Sequence, residues 1–191
     1  MAWLIAGLIA FLGIHSVSII APAWRDAVAA RLGNGWRLLY SLDSIIGLAL
    51  IIYGYGLARA MPTILYVPPL WLRYVAVFLM LFVFPLLLAT YLPGRIKQAT
   101  KHPMLAATKI WATAHLLANG ALADVVLFGA FLIWAVADRI SLKRRAPRPI
   151  ATLPATSAND LIAIVGGLAI YALFVLWLHL EWIGVPVPFP I

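Results

Sequence analysis

The number of helices in this chain depends on the stretch "KHPMLAATKIWATAHLLANGALADVVLFGAFLIWAVADRISLKRR", residues 101–145. Most of residues 104–139 are apolar, and the "NG" pair near the middle is a turn signal. A helix that crosses a membrane needs about 20 residues, so two crossings fit here only if each is short. We interpret residues 104–139 as two membrane helices joined at Asn119 and Gly120.

The composition is that of an integral membrane protein. Hydrophobic residues make up 65% of the chain and charged residues only 10%, whereas soluble domains are roughly half apolar and about a quarter charged. Four more apolar runs are long enough to cross a membrane, at residues 2–21, 37–59, 72–92 and 161–181. The fold predicted from the sequence is therefore an all-α bundle of six transmembrane helices.

The basic residues predict the orientation of this bundle. The net charge is +8, but the Lys and Arg residues form short clusters between apolar runs, which is typical of membrane topology and excludes nucleic acid as a partner. If both termini are periplasmic, the connections at 22–36, 93–103 and 140–160, with their flanks, hold twelve of the 14 basic residues on the cytoplasmic side. Only Arg59 and Arg73 remain outside, a strong positive-inside bias.

Ionisable residues within the apolar runs are the candidates for function. Placing one of them at the centre of a membrane helix costs about 2.5 to 3.5 kcal/mol of insertion free energy, so each needs a partner or a function. The candidates are His15, Asp43, Lys109, His115, Asp124 and His179. The chain has no cysteine, which excludes thiolate ligands and thiol nucleophiles.

His15 and Asp43 are expected at similar depth, each about 9 Å from the cytoplasmic end of its helix. The carboxylate is a candidate to fix the tautomer of the imidazole, although a polar pair that ties two helices together is an equal alternative. His115 shares one helix face with Thr108 and Asn119, and we expect that face to be directed into the protein. Asp124, like Asp138 at the other end of the same helix, is explained by helix capping or pairing.

Two histidines on separate helices suit a haem, because haem iron accepts two axial imidazoles and helix bundles place cofactors between their helices. His15 and His115 are the pair that fits. Proton relays and structural hydrogen bonds remain alternatives for paired histidines.

Residues 101–145 and the "FLGIHS" segment of the first helix closely resemble the NnrU family of bacterial membrane proteins. The resemblance implies one NnrU-type transmembrane domain over residues 1–191, in the bacterial inner (cytoplasmic) membrane. It also implies a link to nitrite and nitric oxide reduction in denitrification, with a respiratory nitrogen-oxide reductase as a possible partner.

A relative of that family, the 15-cis-zeta-carotene isomerase, uses haem b, and the resemblance implies His15 and His115 as the axial ligands. The isomerase has a cysteine shortly before the second ligand, where this chain has Ala112. Thiol-based ligand exchange is therefore impossible here. A redox-gated isomerase, an electron-transfer protein and a maturation factor for a reductase are the roles that the resemblance suggests.

The "KHPM" turn supports an alternative. It resembles the "RHP" element of isoprenylcysteine methyltransferases and membrane sterol reductases, which helps to hold a nucleotide cofactor, and Lys101 and His102 occupy that place. With Arg95 and Lys97 these residues form a basic cytoplasmic rim, suited to haem propionates or serving only as a topology signal.

Three local features complete the prediction. Pro85 should interrupt the third apolar helix. Ser157 and Asp160 have the spacing of a capping box for the last helix. The prolines of residues 140–160 argue against regular structure there.

Overall fold

A computed structural model describes residues 1–146, 148 and 150–187 of the chain. Its regular secondary structure is helical, apart from one isolated bridge between Ile64 and Ala121. The helices are α1 (Ala2–Ile20), α2 (Pro22–Leu32), α3 (Asn34–Ala60), α4 (Leu70–Met80), α5 (Val83–Ala89), α6 (Arg95–Thr100), α7 (Pro103–Ala118), α8 (Leu122–Ser141), α9 (Asn159–Leu173) and α10 (His179–Ile183), with a π-helical segment at Phe174–Leu178.

Four helical segments of the described chain are long and apolar enough to cross a membrane. They are Ala2–Ile20, Asn34–Ala60, Leu70–Ala89 and Asn159–Ile183, and they correspond to the four predicted apolar runs.

The helical structure is interrupted between α7 and α8, where the "NG" pair predicted a turn. With 16 residues, α7 is shorter than a typical crossing, and the 20 residues of α8 include Asp124, Asp138 and Arg139. The helix break is therefore confirmed, whereas length and composition alone do not make α7 and α8 membrane spans.

The chain forms two compact units, and the first comprises Met1–Val67 and Asn119–Pro147. In this unit α1 and α3 pack so closely that glycine is required at the contact. A Cβ atom on Gly47 would lie 2.7 Å from the backbone nitrogen of Phe11, and one on Gly7 would lie 2.6 Å from that of Ile51. This seam holds Phe11, one turn before His15, against α3.

Within the same unit, α8 runs parallel to α1. The rings of Phe11 and Phe131 lie 5.7 Å apart, and further along both helices the Arg145 guanidinium donates a 2.7 Å hydrogen bond to the Ser18 carbonyl oxygen. The C-terminal ends of α1 and α8 therefore lie at the same end of the unit.

The second unit comprises Pro68–Ala118 and Arg148–Ile191. Leu81 and Phe82 separate α4 from α5 and donate their N–H groups to carbonyls three residues earlier, because Pro85 cannot continue the normal hydrogen-bond pattern. The predicted interruption at Pro85 is thus confirmed. A Cβ on Gly167 of α9 would lie 2.6 Å from the Cα of Pro85, so α9 packs directly on the interruption.

The capping box predicted at Ser157 and Asp160 is wrong. Ala158 is the N-cap of α9, without a side-chain cap, and the Asp160 carboxylate instead accepts hydrogen bonds from the backbone N–H groups of Arg95 (2.8 Å) and Ile96 (3.1 Å). A carboxylate at a helix N-terminus satisfies N–H groups that lack partners within the helix. Asp160 therefore caps α6, a helix remote in sequence.

Two of the three predicted cytoplasmic connections contain a short helix, whereas the described part of the third agrees with the predicted lack of regular structure. Residues 22–36 contain the helix α2, and residues 93–103 contain α6. Of the proline-rich connection at 140–160, residues 147 and 149 lie outside the described part of the chain, and residues 151–156 have no regular structure.

Candidate functional site

The imidazole of His15 is oriented by its own helix. Its Nδ1 atom lies 2.6 Å from the carbonyl oxygen of Phe11, four residues earlier. A carbonyl oxygen can only accept a hydrogen bond, so Nδ1 carries the proton and Nε2 carries the lone pair. This is the tautomer that a metal-binding histidine needs, with its second nitrogen held by a backbone carbonyl.

Aromatic side chains surround His15. Its ring stacks on Phe11 at a centroid distance of 4.3 Å and an angle of 25°, and the rings of Tyr40 and Trp134 lie 5.0 and 5.9 Å away. The indole Nε1 of Trp134 is buried, and within the described residues it has no hydrogen-bond acceptor. Buried N–H groups are rarely left unsatisfied in proteins, so this one is a candidate donor to a bound group.

Asp43 lies in the same unit, but its carboxylate does not hold the His15 ring. The only hydrogen bond of the imidazole among the described residues is the one to the Phe11 carbonyl. The group that fixes the tautomer is therefore a local backbone carbonyl and not the carboxylate suggested by the sequence. Asp43 is half-buried on α3.

His115 repeats the arrangement of His15 in the second unit. Its Nδ1 atom lies 2.8 Å from the Trp111 carbonyl oxygen, again four residues earlier, and the two rings lie 5.3 Å apart. The proton is again on Nδ1 and the lone pair on Nε2.

The buried residues of α7 are mostly small. Ala107 and Ala112 are completely buried, whereas Thr108, His115 and Asn119 are half-buried. The face predicted to be directed into the protein is thus only partly covered. Ala112 occupies a position with no exposed surface.

The two candidate ligands belong to different units, His15 to the first and His115 to the second. His179 also binds a backbone carbonyl through Nδ1, at 2.7 Å, but the acceptor, Val185, lies beyond the end of α10. Hydrogen bonding to the carbonyl four residues earlier is therefore shared by His15 and His115 but not by His179.

The basic rim predicted on the cytoplasmic side lies in α6 and the turn that follows it. Arg95 and Lys101 are exposed, and His102 is half-buried. Lys101 ends α6 with a φ of +61°, a left-handed conformation uncommon outside glycine. Lys97 donates a 2.7 Å hydrogen bond to the Thr90 carbonyl oxygen at the end of α5, so its ammonium group is already used to stabilise a helix C-terminus.

The two acidic residues of α8 have the structural roles predicted for them. Asp124 accepts hydrogen bonds from the backbone N–H of Ala121 (3.0 Å) and the hydroxyl of Tyr55 (2.6 Å). Asp138 accepts one from Arg145 at 2.7 Å. Capping explains the first residue and pairing the second, as predicted.

Sequence reasoning missed the aromatic neighbours of His15 on other helices. Tyr40 and Trp134 are 25 and 119 residues away from it along the chain, and no spacing rule within one helix links them to His15. The one available signal was that Trp134 lies in the middle of an apolar run, where its polar N–H requires an explanation.

These features define an all-helical protein with four helices able to cross a membrane and two imidazoles that each carry a lone pair on Nε2. The family model described as "NnrU protein" matches residues 3–187, nearly the whole chain. The chain therefore belongs to the NnrU family. The comparison with curated proteins and the comparison with solved structures each find no match.

Proposed function

We propose that this protein is a multi-pass inner-membrane protein that binds haem b, with His15 and His115 as its axial ligands. The observation that carries the proposal is the hydrogen bond from Nδ1 of each histidine to the carbonyl four residues earlier, at 2.6 and 2.8 Å. Both imidazoles are thereby held as the tautomer whose Nε2 binds a metal.

The side chains that could ligate a metal fit haem better than a metal ion held by protein ligands alone. No group of three or more His, Cys, Asp or Glu residues that could hold a metal ion occurs in the described part of the chain. Haem iron needs only one or two ligands from the protein, because the porphyrin supplies the other four. When bound, haem would supply reversible one-electron chemistry and ligand binding at iron.

The surroundings of His15 also support haem. Phe11, Tyr40 and Trp134 provide an aromatic shell, and apolar surroundings help to set the reduction potential of a bound haem. The buried indole N–H of Trp134 is a donor that the described residues leave unused. In this proposal Asp43 is an outer partner of the site, and the haem propionates bind at Arg95, Lys101 and His102.

We further propose six spans with both termini in the periplasm. In that topology the first and fifth spans run in the same direction, and the parallel arrangement of α1 and α8 agrees with this. α3 and α8 must run in opposite directions, which agrees with the pairing of Leu122, at the start of α8, with Thr63, just after α3. The distribution of the basic residues favours the same orientation.

The biological role that the family suggests is support of nitrite and nitric oxide reduction. Redox-gated isomerisation, electron transfer and maturation of a respiratory nitrogen-oxide reductase are the three forms that this role can take. Haem binding is the property to test first, because isomerisation and electron transfer would use the haem iron directly, whereas a maturation factor would hold haem as a structural group or in transit.

The test is the absorption spectrum of the purified protein, oxidised and then reduced. We expect a Soret band and, after reduction, the α and β bands of a six-coordinate low-spin haem. His15→Ala and His115→Ala should each abolish the low-spin spectrum while the protein still inserts, because one lost imidazole leaves the iron with a vacant site. His179→Ala is the matched control and should keep the spectrum, because the His179 Nδ1 binds the Val185 carbonyl oxygen and the proposal gives His179 no role in haem binding.

A wild-type protein without haem, or a His115→Ala protein with an unchanged low-spin spectrum, would refute the assignment. Stabilisation of a colourless protein by S-adenosylmethionine would instead favour a nucleotide cofactor at Lys101 and His102. For the topology, we expect no alkaline phosphatase activity from a fusion in residues 143–146. Strong activity there would reverse the proposed orientation.

A further inference from the structure

A cleft runs between α1 and α8 in the first unit. One part has a volume of about 370 Å³ and the next about 300 Å³, and both parts are lined by Ile19 and Ala137. Such volumes are within the range of ligand sites. From Ala130 to Ser141 the cleft follows α8 for about 16 Å at the rise of an α-helix.

The lining of the cleft changes from apolar to cationic along its length. The larger part is mainly apolar, with Leu12, Ile20 and Ile133 among its lining residues, and the smaller part is lined in part by Arg144 and Arg145. A diacyl phospholipid has the same polarity pattern, with apolar chains and a charged phosphate at one end.

The cleft opens towards the surface that acyl chains would cover in a membrane. Ile20 and Ile133, which line it, are 81% and 72% exposed. Its cationic end lies where α1 and α8 both finish, since Arg145 binds the Ser18 carbonyl there. The cationic groups are thus positioned for a headgroup while the apolar part is positioned for an acyl chain.

The charge at the cationic end is positive and only partly compensated. Arg145 forms a 2.7 Å ion pair with Asp138, and both side chains are nearly buried. Arg144 and Lys143 are exposed, and within the described residues neither forms an ion pair. Basic pockets between membrane helices on the cytoplasmic side are known to bind anionic headgroups.

We propose that this cleft binds one anionic phospholipid, with an acyl chain along α1 and α8 and its phosphate at Arg144. Arg145, held by Asp138, joins the two helix ends through its hydrogen bond to the Ser18 carbonyl oxygen and so shapes the headgroup site. This inference rests on the proposed topology, in which α8 crosses the membrane and ends on the cytoplasmic side, but it does not depend on haem binding by His15, although Trp134 contacts both His15 and the cleft.

The test is native mass spectrometry of the detergent-purified full chain with phosphatidylglycerol or phosphatidylethanolamine of identical acyl chains. We expect tighter binding of phosphatidylglycerol. Arg144→Gln should weaken it about fivefold, the effect of one basic residue near an anionic surface. Arg31→Gln removes an exposed charge at a residue of α2 that does not line the cleft, and should have little effect.

A second pair of variants tests the apolar part. Ala137→Phe places a ring in the cleft and should weaken binding of both lipids, whereas Val136→Phe changes the adjacent residue, which does not line the cleft, and should leave binding unchanged.

If Ala137→Phe does not fold, the comparison of Arg144→Gln with Arg31→Gln decides alone. Equal affinity for the two lipids, or equal effects of the two arginine variants, would overturn the proposal. Loss of haem from Arg144→Gln with unchanged lipid binding would also overturn it, by assigning Arg144 to the cofactor.

Discussion

The glycine seam between α1 and α3 predicts a large difference between two Gly→Ala substitutions on the same helix. At Gly47 the added Cβ would lie 2.7 Å from the Phe11 nitrogen and 2.9 Å from its Cα. Favourable contact begins near 3.5 Å, so the two backbones must separate by about 0.8 Å. Backbone atoms cannot rotate away as a side chain can.

We therefore expect Gly47→Ala to lower the free energy of unfolding by about 1 to 3 kcal/mol, the usual cost of overpacking a close contact. Gly56→Ala is the matched control, because nothing lies within 4 Å of its added Cβ. This change should raise the free energy of unfolding by about 0.5 to 1 kcal/mol, as alanine is the better helix former.

The assay is reversible unfolding in mixed micelles by increasing the fraction of SDS, followed by circular dichroism. Because Phe11 supports the ring of His15, Gly47→Ala should also change the haem spectrum if haem is bound. Similar unfolding free energies for the two alanine variants would refute the close approach of α1 and α3.

Three further substitutions test polar contacts in the same unfolding assay. Asp138→Asn should destabilise the protein by about 3 to 5 kcal/mol, because it leaves the nearly buried Arg145 without its anionic partner. Tyr55→Phe should cost about 1.5 to 3 kcal/mol through loss of the 2.6 Å hydrogen bond to a carboxylate, and Tyr53→Phe, at an exposed position, should cost almost nothing. Asp160→Ala should cost about 0.5 to 2 kcal/mol by removing the cap of α6.

Each of these predictions has a result that contradicts it. Asp26→Asn breaks the exposed ion pair with Arg25 and should change the free energy of unfolding by at most about 1 kcal/mol. If Asp138→Asn has no larger effect than this, the Asp138–Arg145 pair does not stabilise the fold. Equal effects of Tyr55→Phe and Tyr53→Phe would show that the Tyr55 hydroxyl makes no useful bond. An Asp160→Ala protein as stable as the wild type would show that α6 does not need its remote cap.

The features that sequence reasoning predicted well are those set by local chemistry. A long apolar run predicts a helix, and the "NG" pair and Pro85 interrupt helices because of their own backbone properties. The capping of α8 by Asp124 was likewise expected, since the residue and the N–H that it binds are three positions apart.

The features that it missed depend on contacts between distant segments. Asp160 has the correct spacing to cap its own helix but caps α6, because Gly94 and Arg95 approach its carboxylate in the folded chain. Asp43 was a reasonable partner for His15 by depth, yet the carbonyl of Phe11 was already available within the helix. Depth along a membrane helix fixes one coordinate only and leaves the direction of each side chain undetermined.

The same distinction separates two properties of the candidate ligand His15. Its tautomer is fixed by a carbonyl of its own helix, so the imidazole presents Nε2 as soon as α1 forms. Its aromatic shell comes from α3 and α8 through Tyr40 and Trp134 and exists only after the helices pack. Substitutions at Trp134 should therefore change the environment and reduction potential of a bound haem while leaving ligation by His15 intact, because no part of the tautomer-fixing hydrogen bond belongs to α8.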